Sequence, residues 1–595
     1  MRRAVRLTLV VGINAIVAAV LQAQTNSCVS STGGFWQTTQ LWSLANMPSI
    51  MQAAILITNA PSTTVMIDSM TANSFASTMT VSNLSVSPPS GSADSLYLDN
   101  TGAIALHILN GLAIGITCDN SPAGGSELIN TNSTLVVDGL SGGQLLDNGT
   151  IAIMGGSLIT TNCSLQIGEA FSSLFPAVGL LIVSNGVVQA RDVTIAVGSS
   201  SSGTVEVMGG TMTLSSFLIV GNGINGSPAS MLVANGARLV VTNDETDIGG
   251  VYESSGNLTV SYASFLATDI FLGGTRSIGE LIITNGTVIL SGQLDIGDSE
   301  QGSGSVSLDG GELVVTNGET RLGLGTPSGG SLAVSDGLLL ARDVYVGAFE
   351  SYATLFIDGG VSILSSNLQI GVGESDAVVS ITGGQLFVTN APIVVDDEAQ
   401  CIVSGGELAA KTIELGDFTE GTLTVEGGSV NVSEGITLGD CNDDLVVGST
   451  LVDGGQVTVT NNTGTGFIDV RNGNLTLDSG ILHVDKLVMT NSCSSFIHNG
   501  GTLVVGSVVL DPNAFRITSL VREGNDLRVT WMMGPGQINA LQATSGGICG
   551  TGTTNGFADI FIVTNNAIPG FVTNYLDVGA ATNFPSRFYR ARLTP

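Results

Sequence analysis

Short stretches in which apolar and polar residues alternate recur along the whole chain, separated by glycine-rich turns. The segment from Gly421 to Asp440 shows one complete unit. Leu423 and Val425 point one way, then Val430 and Val432, then Ile436 and Leu438, and each pair reads as a short strand of period two. Gly427-Gly428 separates the first strand from the second, Ser433-Glu434-Gly435 the second from the third, and Gly439-Asp440 closes the unit. Three strands and three corners make one coil. The double glycine recurs as Gly209-Gly210, Gly310-Gly311, Gly359-Gly360, Gly383-Gly384, Gly405-Gly406, Gly454-Gly455 and Gly500-Gly501, with 22 residues from Gly405 to Gly427 and 27 from Gly427 to Gly454. Asn235-Gly236, Asn285-Gly286 and Asp336-Gly337 hold the same place with a residue that tolerates left-handed backbone angles.

The third strand has its own mark, an apolar-x-apolar-Gly ending seen at Leu165-Gln-Ile167-Gly168, Leu294-Asp-Ile296-Gly297, Val344-Tyr-Val346-Gly347, Leu368-Gln-Ile370-Gly371 and Ile413-Glu-Leu415-Gly416. No window sustains a helical period, and lysine, a good helix former, occurs only as Lys411 and Lys486. A unit this small cannot bury its aliphatic residues alone, whereas stacked coils pair every strand with its equivalents above and below. The predicted fold is therefore all-β, a parallel β-helix expected to be right-handed, with three short strands per coil. A propeller blade would need about 40 to 45 residues, and a leucine-rich repeat would show an Asn or Cys ladder.

The beat is absent at both ends. From Gln24 to about residue 124 there are β-like segments such as Ala54-Ile-Leu-Ile57 and Thr64-Val-Met-Ile67 without the double glycine, as expected of irregular first coils and a cap, with Trp36 and Trp42 as candidates to cover the end. The repeats fill 125–510. From Asp511 to Pro595 the texture changes: Phe515 to Trp531 reads as a hairpin turning at Glu523-Gly-Asn525, and Ser586 to Leu593 as a last strand, together predicting a small β-sandwich domain.

Composition narrows the function. The chain has 595 residues and a formal net charge of −32 with only 11% charged residues, which argues against nucleic acid as a partner and fits solubility, with calcium attraction as an alternative. Arg2, Arg3 and Arg6 precede an apolar run from Leu7 to Leu21, and Ala23 offers a cleavage point, so residues 1–23 read as a secretory signal peptide. No later stretch is apolar for long enough to span a membrane as a helix, and the mature protein is expected outside the cell or on its surface. Seven cysteines do not make a disulfide scaffold. Cys401 falls at an inward position. Cys441 and Cys493 lie in turns two coils apart, which at about 4.8 Å per coil puts them beyond bridging reach. Cys28 and Cys118 stay open as a pair.

With both landmarks placed, the unit Gly-x-Leu-x-Val-x-Gly-Gly-x-Val-x-Val followed by apolar-x-apolar-Gly resembles the autotransporter-associated β-strand repeats of bacterial exported proteins, over about Gly125 to Val509. The resemblance implies a pectin-lyase-like passenger β-helix and a role in surface display, adhesion or as a stalk. Phe515 to Trp531 and Tyr575 to Arg590 are similar to a fibronectin type III-like terminal module. The residues after Val509 are too few for a translocating barrel, so self-export by that route is not implied.

Many parallel β-helices cleave polysaccharides, which requires two carboxyls flanking the scissile bond. Asp396-Asp397 and Asp443-Asp444 are the adjacent Asp-Asp pairs of the repeat region and are the candidate catalytic residues if the protein is an enzyme. The Asn-Thr-Asp, Gly-His-Gly and Arg-Ile-Lys sequences of polygalacturonase-like enzymes are missing, as are the calcium loops of RTX repeats. Of the three histidines, His107, His483 and His498, the last two are close enough in sequence for neighbouring coils to bring them to one side, but the favoured reading is isolated strand and turn histidines rather than a catalytic or metal pair. No cofactor or metal is implied. The sequence thus favours a secreted structural or adhesive β-helix without catalytic activity that meets extracellular glycans, with a polysaccharide-binding or polysaccharide-degrading β-helix as the alternative.

Overall fold

The computed structural model describes residues 24–595 except 61, 76, 117–123, 141–143, 171–175, 225–226, 251, 349, 374, 444, 492, 511–516, 533–537, 547–555, 565–571, 585 and 595. The signal-peptide reading, Cys118 and Asp444 therefore lie outside the described residues. About 65% of the protein is strand, most of it wound into a parallel β-solenoid of about 18 turns.

The chain divides into two compact units, 1–163 and 164–595. In the first, parallel pairing starts earlier than the double glycine does: Asn26 pairs with Ile55, Ile55 with Leu84, Leu84 with Leu112 and Leu112 with Leu145. Trp36 and Trp42 pack edge to face at 5.2 Å, fully buried, and the Trp42 indole N–H donates to the Trp36 carbonyl at 2.9 Å. Burial leaves neither ring a face for stacking on sugar.

In the second unit three ladders run from coil to coil. The first strand of each coil is represented by Glu420–Val425, and Ser429–Leu438 holds the second and third together. Leu408 pairs with Val430 and Ile413 with Ile436, with a register shift between Ala410 and Thr412, so the corner between strands two and three bends the chain without ending its hydrogen bonding. Leu423, Val425, Val430, Ile436 and Leu438 are wholly buried and Val432 nearly so, as their alternation predicts. Val430 stacks between Leu408 and Val457, and Ile436 between Ile413 and Ile468; burying a side chain of this size contributes about 1.5–3 kcal/mol. Asn235 and Asn285, standing for the first glycine of the pair, adopt φ of 57° and 52°. At Gly428 φ is 61°.

Cys401 occupies the inward place between Val379 and Leu423, and burial pushes its thiol up to about 12. The expectation that Cys441 and Cys493 are out of reach is corrected: they form a disulfide with a Cα separation of 6.0 Å. The estimate assumed equal corners stacked one above another. Instead the turn after Leu438 runs as a long loop to Val446, and it folds against the intervening coil, where the Asn472 side-chain amide donates to the carbonyls of Asp443 and Val446. Gly473 in turn donates to the Cys493 carbonyl. The bridge closes over the Asn472 corner.

At the end of the second unit are two three-stranded antiparallel sheets. One holds Ile517–Glu523, Asp526–Met532 and Val572–Asp577; the other holds Ile538–Gly546, Ala558–Thr564 and Ser586–Thr594. The hairpin turns at Glu523 and Asp526 as its sequence indicates. Trp531 and Val529 of the first sheet and Leu541 of the second form one core, and the Phe561 ring lies 6.0 Å from Trp531 and 4.8 Å from Tyr575.

Candidate functional site

The adjacent carboxylates singled out by sequence sit at the corner that joins each third strand to the first strand of the next coil. Val395, Leu415 and Leu438 are register partners, so the turns that follow them stack as Asp396–Glu398, Asp417–Thr419 and the loop ending at Val446. Asp396 and Asp443 therefore share a corner but belong to coils two apart, with Asp417, Phe418 and Thr419 between them. Phe418 is 70% exposed there.

Asp396 points into the stack. It is 1% exposed and its carboxylate accepts the Phe418 N–H at 2.9 Å and the Thr419 N–H at 2.8 Å, holding the next coil's turn in place. Asp397 points outward. It accepts the Gly373 N–H of the coil before and the Thr419 hydroxyl, the latter at 3.2 Å, from a left-handed backbone with φ of 52° that continues into Glu398 at 62°. Neighbours in sequence thus have opposite surroundings, because the strand ends at Val395 and the chain turns through the left-handed conformation at Asp397. Asp397 and Glu398, with Ser375, Asp376 and Thr419, line a surface hollow of ≈ 310 Å³. Its walls offer carboxylates and hydroxyls, a set suited to sugar hydroxyls, and among the described residues no histidine, lysine or arginine.

Asp443 is exposed, and its carboxylate accepts the Leu445 N–H at 3.0 Å. His483 and His498 do not come to one side. His483 is on the second strand of its coil, between Thr458 and Val504, whereas His498 is on the first strand of the following coil, opposite Leu477 and stacked on Phe496. Among the described residues no group of three or more His, Cys, Asp or Glu side chains could hold a metal ion.

Two features of the first unit escaped the sequence reading. His107 Nε2 lies 2.6 Å from Asp138 Oδ2, on adjacent coils. Asp147 takes an inward place in the third-strand ladder beside Ile114, fully buried, with one oxygen accepting the Gly149 N–H at 3.0 Å and the other unpartnered. Burial pushes its carboxyl up to about 8. The signal was available: Leu145-Leu-Asp147 fits the apolar-x-apolar pattern with an acid in the last place.

No protein-family model, curated protein or solved structure matches this chain.

Proposed function

We propose that the protein is an exported, non-catalytic structural or adhesive β-solenoid whose outer faces meet extracellular partners such as glycans. The observation that carries this reading is the use of Asp396. A catalytic acid or base must reach substrate, yet this carboxylate is buried and occupied by backbone N–H groups of the next coil. The hydrogen bond between Asp397 and Gly373 serves the coil before in the same way. A disulfide in a chain of this length accords with an oxidising compartment and so with export. The repeat unit supports an autotransporter-associated, passenger-like β-helix. The shared Trp531 core supports reading 511–595 as a small β-sandwich, similar to a fibronectin type III-like module.

The hollow beside Asp397 favours a second reading, in which the same corner binds or cleaves a polysaccharide. A panel of acidic and neutral polysaccharides incubated with the full chain discriminates the two. The expected result is binding without release of reducing or unsaturated ends. Release that disappears in Asp397→Ala overturns the non-catalytic reading.

A further inference from the structure

One outer face of the second unit carries a continuous apolar row. The middle strand of each coil presents an outward residue at its third position, and from coil to coil these are register partners: Val240, Leu266, Ile289, Val314, Leu340, Ile363, Phe387 and Ala409. Eight consecutive coils thus carry an apolar side chain at one outward position. Ile289 and Ile363 are each 40% exposed and the others half-buried. The ladder is bounded by Thr213 before Val240 and by Asn431 and Thr458 after Ala409. The corresponding ladder on the first strand is interrupted by polar residues, with Thr259, Ser307 and Ser380 falling among Ile282, Ala333, Phe356 and Ile402. A flat parallel sheet bearing an unbroken apolar row exposes a surface that water disfavours and that a matching flat surface covers.

We propose that this face is where two copies of the chain associate, turned end for end about an axis parallel to the strands. Two observations select a second copy. The first is charge. In a chain of net charge −32 the apolar row itself carries none, and the outward row beside it holds only two acids over these eight coils, Glu312 and Glu407. The outward row beside it starts with Arg238 and ends with Glu407 over the same eight coils. Turned end for end, Arg238 of one copy faces Glu407 of the other at both ends of the contact, the self-complementary pattern of a two-fold interface. The second is area. Eight coils at about 4.8 Å and a strand of four residues at about 3.3 Å give a face of about 500 Å² per copy, about 1,000 Å² in total. That is the lower edge of what specific association requires, so the dimer is weak and concentration-dependent. Salt screens the repulsion between two acidic chains and tightens it.

Sedimentation velocity of the full chain between about 1 and 200 µM, in low and high salt, tests the proposal. The expected result is a shift from monomer to twice the monomer mass, at lower concentration in high salt. Ile289→Asp with Ile363→Asp weakens the dimer at least about tenfold, while Ile282→Asp on the first-strand face leaves it unchanged. Should the aspartates disturb folding, as judged by circular dichroism, Ile289→Thr with Ile363→Thr substitutes a residue that the same ladder holds at Thr213 and Thr458. Arg238→Glu or Glu407→Arg alone weakens association and the two together restore it. A monomer throughout, or association indifferent to both ladder variants, overturns the proposal; failure of the paired reversal to restore overturns the end-for-end arrangement.

Discussion

Replacing Gly428 with alanine isolates the corner on which the coil depends. Its φ is 61°, which costs an L-residue roughly 1–2 kcal/mol. A Cβ there also meets the carbonyl carbon and oxygen of Gly405 and the Gly406 oxygen, each at 2.5 Å, all backbone of the coil before. Ordinary contact starts at 3.4 Å, so two coils tied by hydrogen bonds must separate locally by nearly an ångström. Overpacking of that kind costs about 1–3 kcal/mol, giving about 2–5 kcal/mol for Gly428→Ala. Gly464 supplies the control, since its φ is 67° but nothing lies within 4 Å of its Cβ position. Gly464→Ala meets only the backbone term, and the gain from stiffening the unfolded chain is common to both. The assay is urea unfolding together with amide exchange at Ser429, whose N–H donates to the Gly406 carbonyl at 3.0 Å. Gly428→Ala should cost about 1–3 kcal/mol more than Gly464→Ala and speed exchange at Ser429. Equal costs, with Ser429 unaffected, refute the stacked-corner reasoning.

Asp147 makes stability depend on pH in an unusual direction. Its carboxyl is raised to about 8 in the folded chain, so the native state holds a proton that the unfolded state releases above about pH 4. Its contribution is whole below about pH 4, falls as pH rises towards 8 and is flat beyond; the loss is at most about 6 kcal/mol. Unfolding free energies of the native chain and of Asp147→Asn between pH 4 and 9 should diverge accordingly, and parallel curves contradict the buried acid. Cys441→Ser should cost about 2–4 kcal/mol, read as a lower unfolding midpoint that reductant reproduces in the native chain and not in the variant. Thr450 lies in the inward ladder between Leu423 and Leu475 with its hydroxyl unpartnered, so Thr450→Val should raise stability by about 1 kcal/mol; a loss would show that the hydroxyl has a partner.

What sequence could reveal followed from locality. The inward pairs of Gly421 to Asp440 were legible because a strand of period two needs only its own residues to show which side is buried. The double glycine was legible as a corner, but the reason a side chain is refused at Gly428, a carbonyl of the coil before, belongs to the stack. The Cys441–Cys493 bridge was missed because rise per coil describes strands, and the path of the loop ending at Val446 is set by Asn472 of another coil. Asp396 and Asp397 were marked as a pair by adjacency, but the left-handed turn that starts at Asp397 sends one into the stack and the other to the surface. The apolar outward row emerges only when register aligns one residue from each of eight coils.

The in-register stack underlies every assignment made to a single residue, and spin-label distances test it most directly. Ser230, Asn257, Glu280, Ser305 and Ser331 are successive partners on the first-strand ladder, which continues through Thr354, Val378 and Gln400 to Thr422. Labels at Ser230 and Ser331, four coils apart, should lie about 19 Å from each other, and labels at Ser230 and Thr422, eight coils apart, about 38 Å. Distances that double with coil number are the expected result; a distance that does not grow from the first pair to the second contradicts the parallel solenoid.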